Sequence, residues 1–188
     1  ATWAHYEPEG GWGPDDVALH AKREGDGWAL SGNKRLVSDA VDADLFLVSA
    51  RTDEGPALFL VPSSTAGLSV TPHQGLELSR TLAEVSFDSV AVSGEAKLPL
   101  DDARANIERA LQIALVLQCG ESLGVSEALL EMTVEYAKGR VQFDRPIGSF
   151  QAIRHKCADM RVDLEGSRTF ARYAALAVEE GFEDVAEA

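Results

Sequence analysis

Cysteine is scarce in this chain: 188 residues hold only Cys119 and Cys157. No CxxC pair and no Cys/His cluster accompanies them, so spacing gives no zinc motif. Two thiols fit a reducing cytoplasm better than a disulfide-stapled secreted domain, and a cytoplasmic location is expected. Both cysteines read as small buried apolar residues. Basic residues are also short, with 17 Lys and Arg against 31 Asp and Glu and a formal charge of −14. That balance speaks against a nucleic-acid partner and against adsorption to anionic membranes. No uninterrupted apolar run looks long enough to span a bilayer, and no signal peptide is visible. The four histidines, His5, His20, His73 and His155, are scattered without ligand spacing, so no metal site is expected. The chain opens on Ala1 rather than Met, which suggests a fragment or a processed product. Internal repeats and low-complexity segments are missing too.

What is present is ordinary globular composition, 45% hydrophobic and 26% charged. The length suits one generous domain or two small ones. The pattern changes near residue 100. Before it, alternating apolar residues at Val17, Leu19 and Ala21 lead into the turn signal Gly25-Asp26-Gly27, and a returning strand follows over 28–37. Short apolar runs at 45–50, 58–61, 68–71 and 85–92 read as further strands between turn residues. After Pro99 the period becomes helical. Asp101 or Asp102 is placed to cap a helix that runs to Lys138 and closes at Gly139. Its middle, ALQIALVLQCG, is apolar on nearly every face, as in a central bundle helix or at a subunit interface. Ser149 is placed to cap a second helix, with Phe150, Ile153, Cys157, Met160 and Leu164 on one stripe. Its end falls near Glu179 to Gly181. The fold class is therefore a segregated α+β arrangement. An antiparallel β-barrel or sandwich over residues 1–99 precedes two long helices of an incomplete up-down bundle over 100–188.

The densest chemistry lies in residues 140–151, RVQFDRPIGSFQ. A guanidinium presents a fork of donors that can bind phosphate oxygens in pairs. A helix N-terminus beside it offers free amides to an anion. Phe143 offers a flat apolar face to a heterocycle. Together these read as a dinucleotide site at a helix–loop–helix corner.

At these residues the chain resembles the acyl-CoA dehydrogenase family, in its middle β domain and the first part of its C-terminal helical domain. Three stretches carry the resemblance in order: Glu7-Pro8, then GDGWALSGNKRLVS over residues 25–38, then residues 140–151. The resemblance covers nearly the whole chain. It implies FAD as cofactor, an acyl-CoA thioester as substrate, and α,β-dehydrogenation with hydride passing to flavin N5. It also implies an electron-transfer flavoprotein as acceptor and a homo- or hetero-oligomer, dimer or tetramer, with FAD at the subunit interface. Ser38 matches the hydroxyl residue that hydrogen-bonds the flavin. Leu36 stands where an aromatic commonly packs on the flavin, and Tyr6 where a small Ser or Thr often touches it. Arg140 matches the arginine that reaches the FAD diphosphate of the neighbouring subunit, Phe143 the aromatic beside the adenosine half, and Gln151 a polar contact to the diphosphate. Asp144 replaces a common glycine. The resemblance places the base of most members in the later part of the helical domain, beyond Ala188, and that of some branches on the first long helix; no carboxylate lies between Arg109 and Glu121, so the chain offers no identifiable catalytic base. The wording of QFDRPIGSFQAIRHKCADM is similar to actinobacterial members that act on steroid or branched side-chain thioesters.

Each position also has a plainer reading. Arg140 can complement the C-terminal end of its helix, Phe143 and Phe150 can be core, Ser38 can be an ordinary strand hydroxyl, and Gln151 can support its helix's first turn. Trp28 reads as packing, and Trp3 and Trp12 as packing or as neighbours of the flavin and acyl region. Three other functions stay open beside the dehydrogenase. They are a non-catalytic subunit that supplies FAD contacts to a partner, a flavin monooxygenase of the same fold, and a flavin-free assembly module.

Overall fold

The structure, a computed structural model, describes residues 1–77 and 79–182. The end of the expected second domain, 183–188, lies outside the described residues. The chain divides into two compact units, Ala1–Glu108 and Arg109–Ala188. The elements are β1 (Thr2–Ala4), β2 (His20–Glu24), β3 (Gly27–Ser38), β4 (Leu45–Thr52), β5 (Gly55–Pro62), β6 (Leu68–Pro72) and β7 (Leu82–Val92), then α1 (Ala103–Gly139), β8 (Val141–Gln142), β9 (Arg145–Pro146) and α2 (Gln151–Glu180).

In the first unit seven strands form one sheet in the order β1-β4-β2-β3-β7-β6, with β5 on the other edge of β4. The expected antiparallel barrel or sandwich is corrected in two respects. The sheet is mixed, because β1 runs parallel to β4 (Thr2↔Phe46 to Ala4↔Val48) and β2 meets β4 in parallel at His20↔Arg51. Among the described residues its strand order does not close into a barrel. The segregated order, sheet first and long helices after, stands.

The β2–β3 hairpin turns at Gly25 and Asp26, with Glu24 facing Gly27 and Gly25 at φ 58°. Glycine at the first central position is what a type II′ turn requires, and this turn follows the right-handed twist of the strands. Inward-facing Leu30, Val37, Phe46, Val48, Phe59, Val61, Val85 and Val90 bury almost completely into one core. Two bulges interrupt β3 against β7, one between Leu30 and Gly32 and one between Lys34 and Val37. At the second, three steps along β3 match two along β7, so Arg35 and Leu36 both face outward between buried Lys34 and Val37. Leu36 takes φ 54° to do this. Gly32 has φ 141°, and a Cβ there would meet Leu19 at 3.1 Å. The glycine of the Gly-x-Lys stretch is thus a backbone requirement.

In α1 the cap is Asp102, whose Oδ1 accepts the Ala105 amide at 2.9 Å. Gly139 ends this helix from within rather than as a left-handed cap. An 18-residue window of α1 has mean hydropathy 1.4, long and apolar enough to cross a membrane by length and composition alone. That corrects the expectation drawn from uninterrupted runs, because scattered Gln, Ser and Gly break the run without lowering the mean much. The expected cap of α2 is also corrected. Phe150 occupies the N-cap without a side-chain bond, and Ser149 donates its hydroxyl to the Pro146 carbonyl at 2.7 Å, closing a short 3-10 turn. Gly181 ends α2 at φ 69°, as its position suggests. Within the second unit α1 and α2 are tied by the Arg168–Glu127 ion pair at 2.9 Å. Between them runs a groove of about 710 Å³ lined by Leu115, Cys119, Leu123, Met160, Leu164 and Phe170 among others. Cys119 is exposed there, which corrects its reading as a buried residue; Cys157 is half-buried.

Candidate functional site

In the sheet unit, Tyr6, Leu36 and Ser38 come to the same end of β3. The Tyr6 carbonyl accepts the Arg35 amide at 2.8 Å, and Thr2 Oγ1 donates to the Ser38 carbonyl at 2.7 Å. The bulge at Arg35–Leu36 leaves Leu36 48% exposed and puts Ser38 on the same outward face. Tyr6 is half-buried, its ring 4.9 Å from that of Trp12 in an edge arrangement. Leu36 in a left-handed conformation is a strained position for a branched aliphatic residue.

The motif residues Glu7 and Lys34 prove to be partners. Lys34 is fully buried; its Nζ donates to Glu7 Oε1 at 2.6 Å and to the His5 carbonyl at 3.0 Å. The Glu7 carboxylate also accepts the amides of Ala18 and Leu19 at 2.9 Å each. One carboxylate therefore closes the base of loop 8–17. Burial pushes the Lys34 ammonium down from its ordinary value, with the Glu7 hydrogen bond pulling the other way. At the same end of the loop Arg51 donates to the Val17 carbonyl at 2.7 Å and to that of Asp15. Asp15 is paired with Arg104, which holds its carboxyl below the usual range.

His5 is the residue that pattern reading passes over. It is 5% exposed, with Nε2 at 3.1 Å from the Trp12 carbonyl and Nδ1 at 2.9 Å from Ser49 Oγ. A carbonyl only accepts, so Nε2 carries the proton and Nδ1 accepts from Ser49. Ser49 in turn accepts Trp3 Nε1 at 3.0 Å. The chain of bonds has one direction: Trp3 to Ser49 to His5 to the Trp12 carbonyl. Burial is the chief reason that His5 titrates below its ordinary 6.5. A histidine directly after the strand residues Trp3 and Ala4 is the one sequence signal there.

In the helical unit, Arg140, Phe143 and Gln151 gather at one corner, and that corner is a β-hairpin rather than a plain loop. Val141 pairs with Pro146 and Gln142 with Arg145. The two turn residues Phe143 and Asp144 have φ 53° and 63°, the mark of a type I′ turn. The turn projects the Phe143 ring, which is 87% exposed. Arg145 lies over the Phe150 ring at 4.1 Å, and Phe143 meets Phe150 edge-on at 6.1 Å. Gln151 opens α2, exposed, with its amide 3.4 Å from His155 Nε2. Among the described residues the Arg140 guanidinium has no carboxylate partner. An uncommitted guanidinium, an amide and a bare ring at one helix start are a donor set that fits a diphosphate joined to a flat base. Among the described residues no group of three or more His, Cys, Asp or Glu could hold a metal ion.

Comparison with known proteins agrees with this layout. The acyl-CoA dehydrogenase middle domain matches residues 3–90, and the acyl-CoA dehydrogenase C-terminal domain matches residues 104–188. Acyl-CoA dehydrogenase FadE27 of Mycobacterium tuberculosis is 36% identical over 86% of this chain and 42% of its own length. A glutaryl-CoA dehydrogenase from Mycobacterium smegmatis, solved in complex with FADH2, superposes with a TM-score of 0.84 at 29% identity, over 95% of this chain and 47% of that one. The ChsE4-ChsE5 complex from Mycobacterium tuberculosis gives a TM-score of 0.80 at 34% identity, over 95% of this chain and 46% of that one. The chain spans less than half the length of these relatives. It belongs to the acyl-CoA dehydrogenase family.

Proposed function

We propose that this chain is the FAD-contacting portion of an acyl-CoA dehydrogenase, with a middle domain over 1–99 and part of the helical domain over 100–188. Bound FAD supplies the hydride acceptor for α,β-dehydrogenation of an acyl-CoA thioester. In this reading Tyr6, Leu36 and Ser38 face the flavin ring, Ser38 through its exposed hydroxyl. Arg140 and Gln151 hold the diphosphate of a neighbouring subunit's FAD, and Phe143 covers its adenosine face. The observation that carries the reading is the uncommitted Arg140 guanidinium beside an exposed ring and a helix start. An oligomer, homo- or hetero-, assembled away from membranes and nucleic acid in the cytoplasm, and an electron-transfer flavoprotein as acceptor belong to the same proposal.

The test is FAD binding by the purified chain, followed through its visible absorption. Arg140→Ala is expected to weaken retention about 10- to 100-fold, the worth of a charge-assisted hydrogen bond, and to leave the fold intact. Equal retention by the variant would sink the assignment. A second reading is a non-catalytic subunit of a hetero-oligomer, which supplies FAD contacts while its partner supplies the base. The likeness to the ChsE4-ChsE5 complex supports it. Bleaching of bound flavin by acyl-CoA in this chain alone would exclude it.

A further inference from the structure

Two arginines, not one, flank the β8–β9 turn. The register sets Gln142 opposite Arg145, and the Ile147 amide donates to the Arg140 carbonyl at 2.8 Å, which sets Arg140 opposite Ile147. Side chains alternate along a strand, so Arg140, Gln142 and Arg145 share one face of the hairpin. Arg140 and Arg145 stand diagonally across it, a separation that long side chains span. Both are exposed, and among the described residues neither has a carboxylate at ion-pair distance. Arg145 lies over the Phe150 ring at 4.1 Å, and Phe150 is the N-cap residue of α2. A guanidinium stacked on a ring is fixed in orientation and keeps its N–H edge free. From Arg140 to Lys156 four basic residues meet one carboxylate, Asp144, in a chain of formal charge −14. Two like charges held side by side oppose folding. An anion between them reverses the sign of that interaction.

We infer that Arg145 is a second phosphate-holding residue: with Arg140 it makes a two-guanidinium clamp for a diphosphate, and Phe150 is the positioning residue that fixes it. The inference rests on the reading of this corner as a diphosphate site and goes beyond it in naming a second cation and a selectivity. Each guanidinium presents paired donors to the oxygens of one phosphoryl group. The first turn of α2 has no side-chain cap, so its leading amides add donors at the same corner. A single phosphoryl group engages one guanidinium and leaves the other without a counter-charge. The clamp therefore prefers two linked phosphates to one, pyrophosphate to phosphate and FAD to FMN. Asp144 acts against it, because its charge at the turn repels the same anion. A diphosphate occurs in FAD and in coenzyme A alike, and the two are separated by competition.

The test uses the full chain and inorganic pyrophosphate, titrated by calorimetry at low salt, with inorganic phosphate as the comparison. Pyrophosphate should bind the native chain about tenfold more tightly than phosphate. Arg145→Gln should weaken pyrophosphate about tenfold, as Arg140→Gln does, and bring it close to phosphate. Phe150→Leu keeps both charges but frees Arg145, and should weaken pyrophosphate about threefold. Asp144→Asn should tighten it about threefold, a gain that a merely structural role for the hairpin does not produce. Circular dichroism checks that each variant folds, and Arg140→Gln should not lower the unfolding midpoint. Native affinity in Arg145→Gln overturns the clamp, as does a native chain that binds pyrophosphate no better than phosphate. FAD retention that still falls in Arg140→Ala then keeps the cofactor reading without the clamp. Displacement of pyrophosphate by FAD supports both. Displacement by coenzyme A but not by FAD leaves the clamp standing and removes the FAD reading.

Discussion

In the sheet unit Leu30, Phe46, Val48 and Phe59 have no exposed area, whereas in the helical unit Leu117, Met132, Val162 and Phe170 are 67% to 71% exposed. The first unit spends its large side chains on its own core, where each contributes about 1.5–3 kcal/mol. The second holds comparable residues on two helices that cannot cover them alone. Polar groups divide the same way. Lys34, Ser49 and His5 are buried and bonded in the sheet unit. The local ion pairs Arg161–Glu165 and Lys138–Glu135 of the helical unit lie at its surface. The lesson is one of division of labour: the sheet unit is a finished scaffold, and the helical unit is a presenting surface.

That contrast breaks most readily at Glu7. Glu7→Ala strands a buried ammonium and frees two amides, and should cost about 4 kcal/mol in urea unfolding. Glu7→Gln with Lys34→Met should recover part of that loss; an unchanged midpoint for Glu7→Ala would show the pair to be idle. Leu30→Ala should cost about 3 kcal/mol, while Leu117→Ala should stay within about 0.5 kcal/mol. A large loss for Leu117→Ala would mean that this face is covered in solution. Acid sharpens the contrast further. The unfolded chain takes up a proton at His5 near 6.5, the folded chain only at lower pH. Stability from this group is full above that value and falls as the pH drops below it, a slope that His5→Gln should flatten in thermal melts recorded from pH 7.5 to 5. The smallest effect belongs to the helical unit: Asp144→Gly relieves a left-handed Cβ and should raise stability by about 0.5 kcal/mol, read from the unfolding midpoint.

Much of this could be read from the sequence, and what could not has physical reasons. Gly25-Asp26-Gly27 announced the β2–β3 hairpin because that turn needs glycine. The β8–β9 hairpin was hidden because Phe143-Asp144 is a poor type I′ sequence, held in shape by its context. The bulge at Arg35–Leu36 could not be seen, since an extra residue mimics a slip in alternation. β1 is three residues long and pairs in parallel with β4, a long-range choice that leaves no local pattern. The matched Glu7-Pro8 and Gly-x-Lys stretches were legible as motifs, yet their reason, one ion pair across 27 positions, needed the fold. The grouping of Arg140, Phe143 and Gln151 was legible because the three lie within twelve residues on the chain.

The Glu7 carboxylate has one more consequence. By joining the chain just before residue 8 to the chain just after residue 17, it closes the segment between them at its base. Loop-closure entropy grows only logarithmically, so doubling such a segment costs about 0.6 kcal/mol. Insertions or exchanges around residues 9–14 could therefore reshape what lies over Tyr6 while the strands beneath keep their register. This makes loop 8–17 the natural place for variation or redesign in this unit.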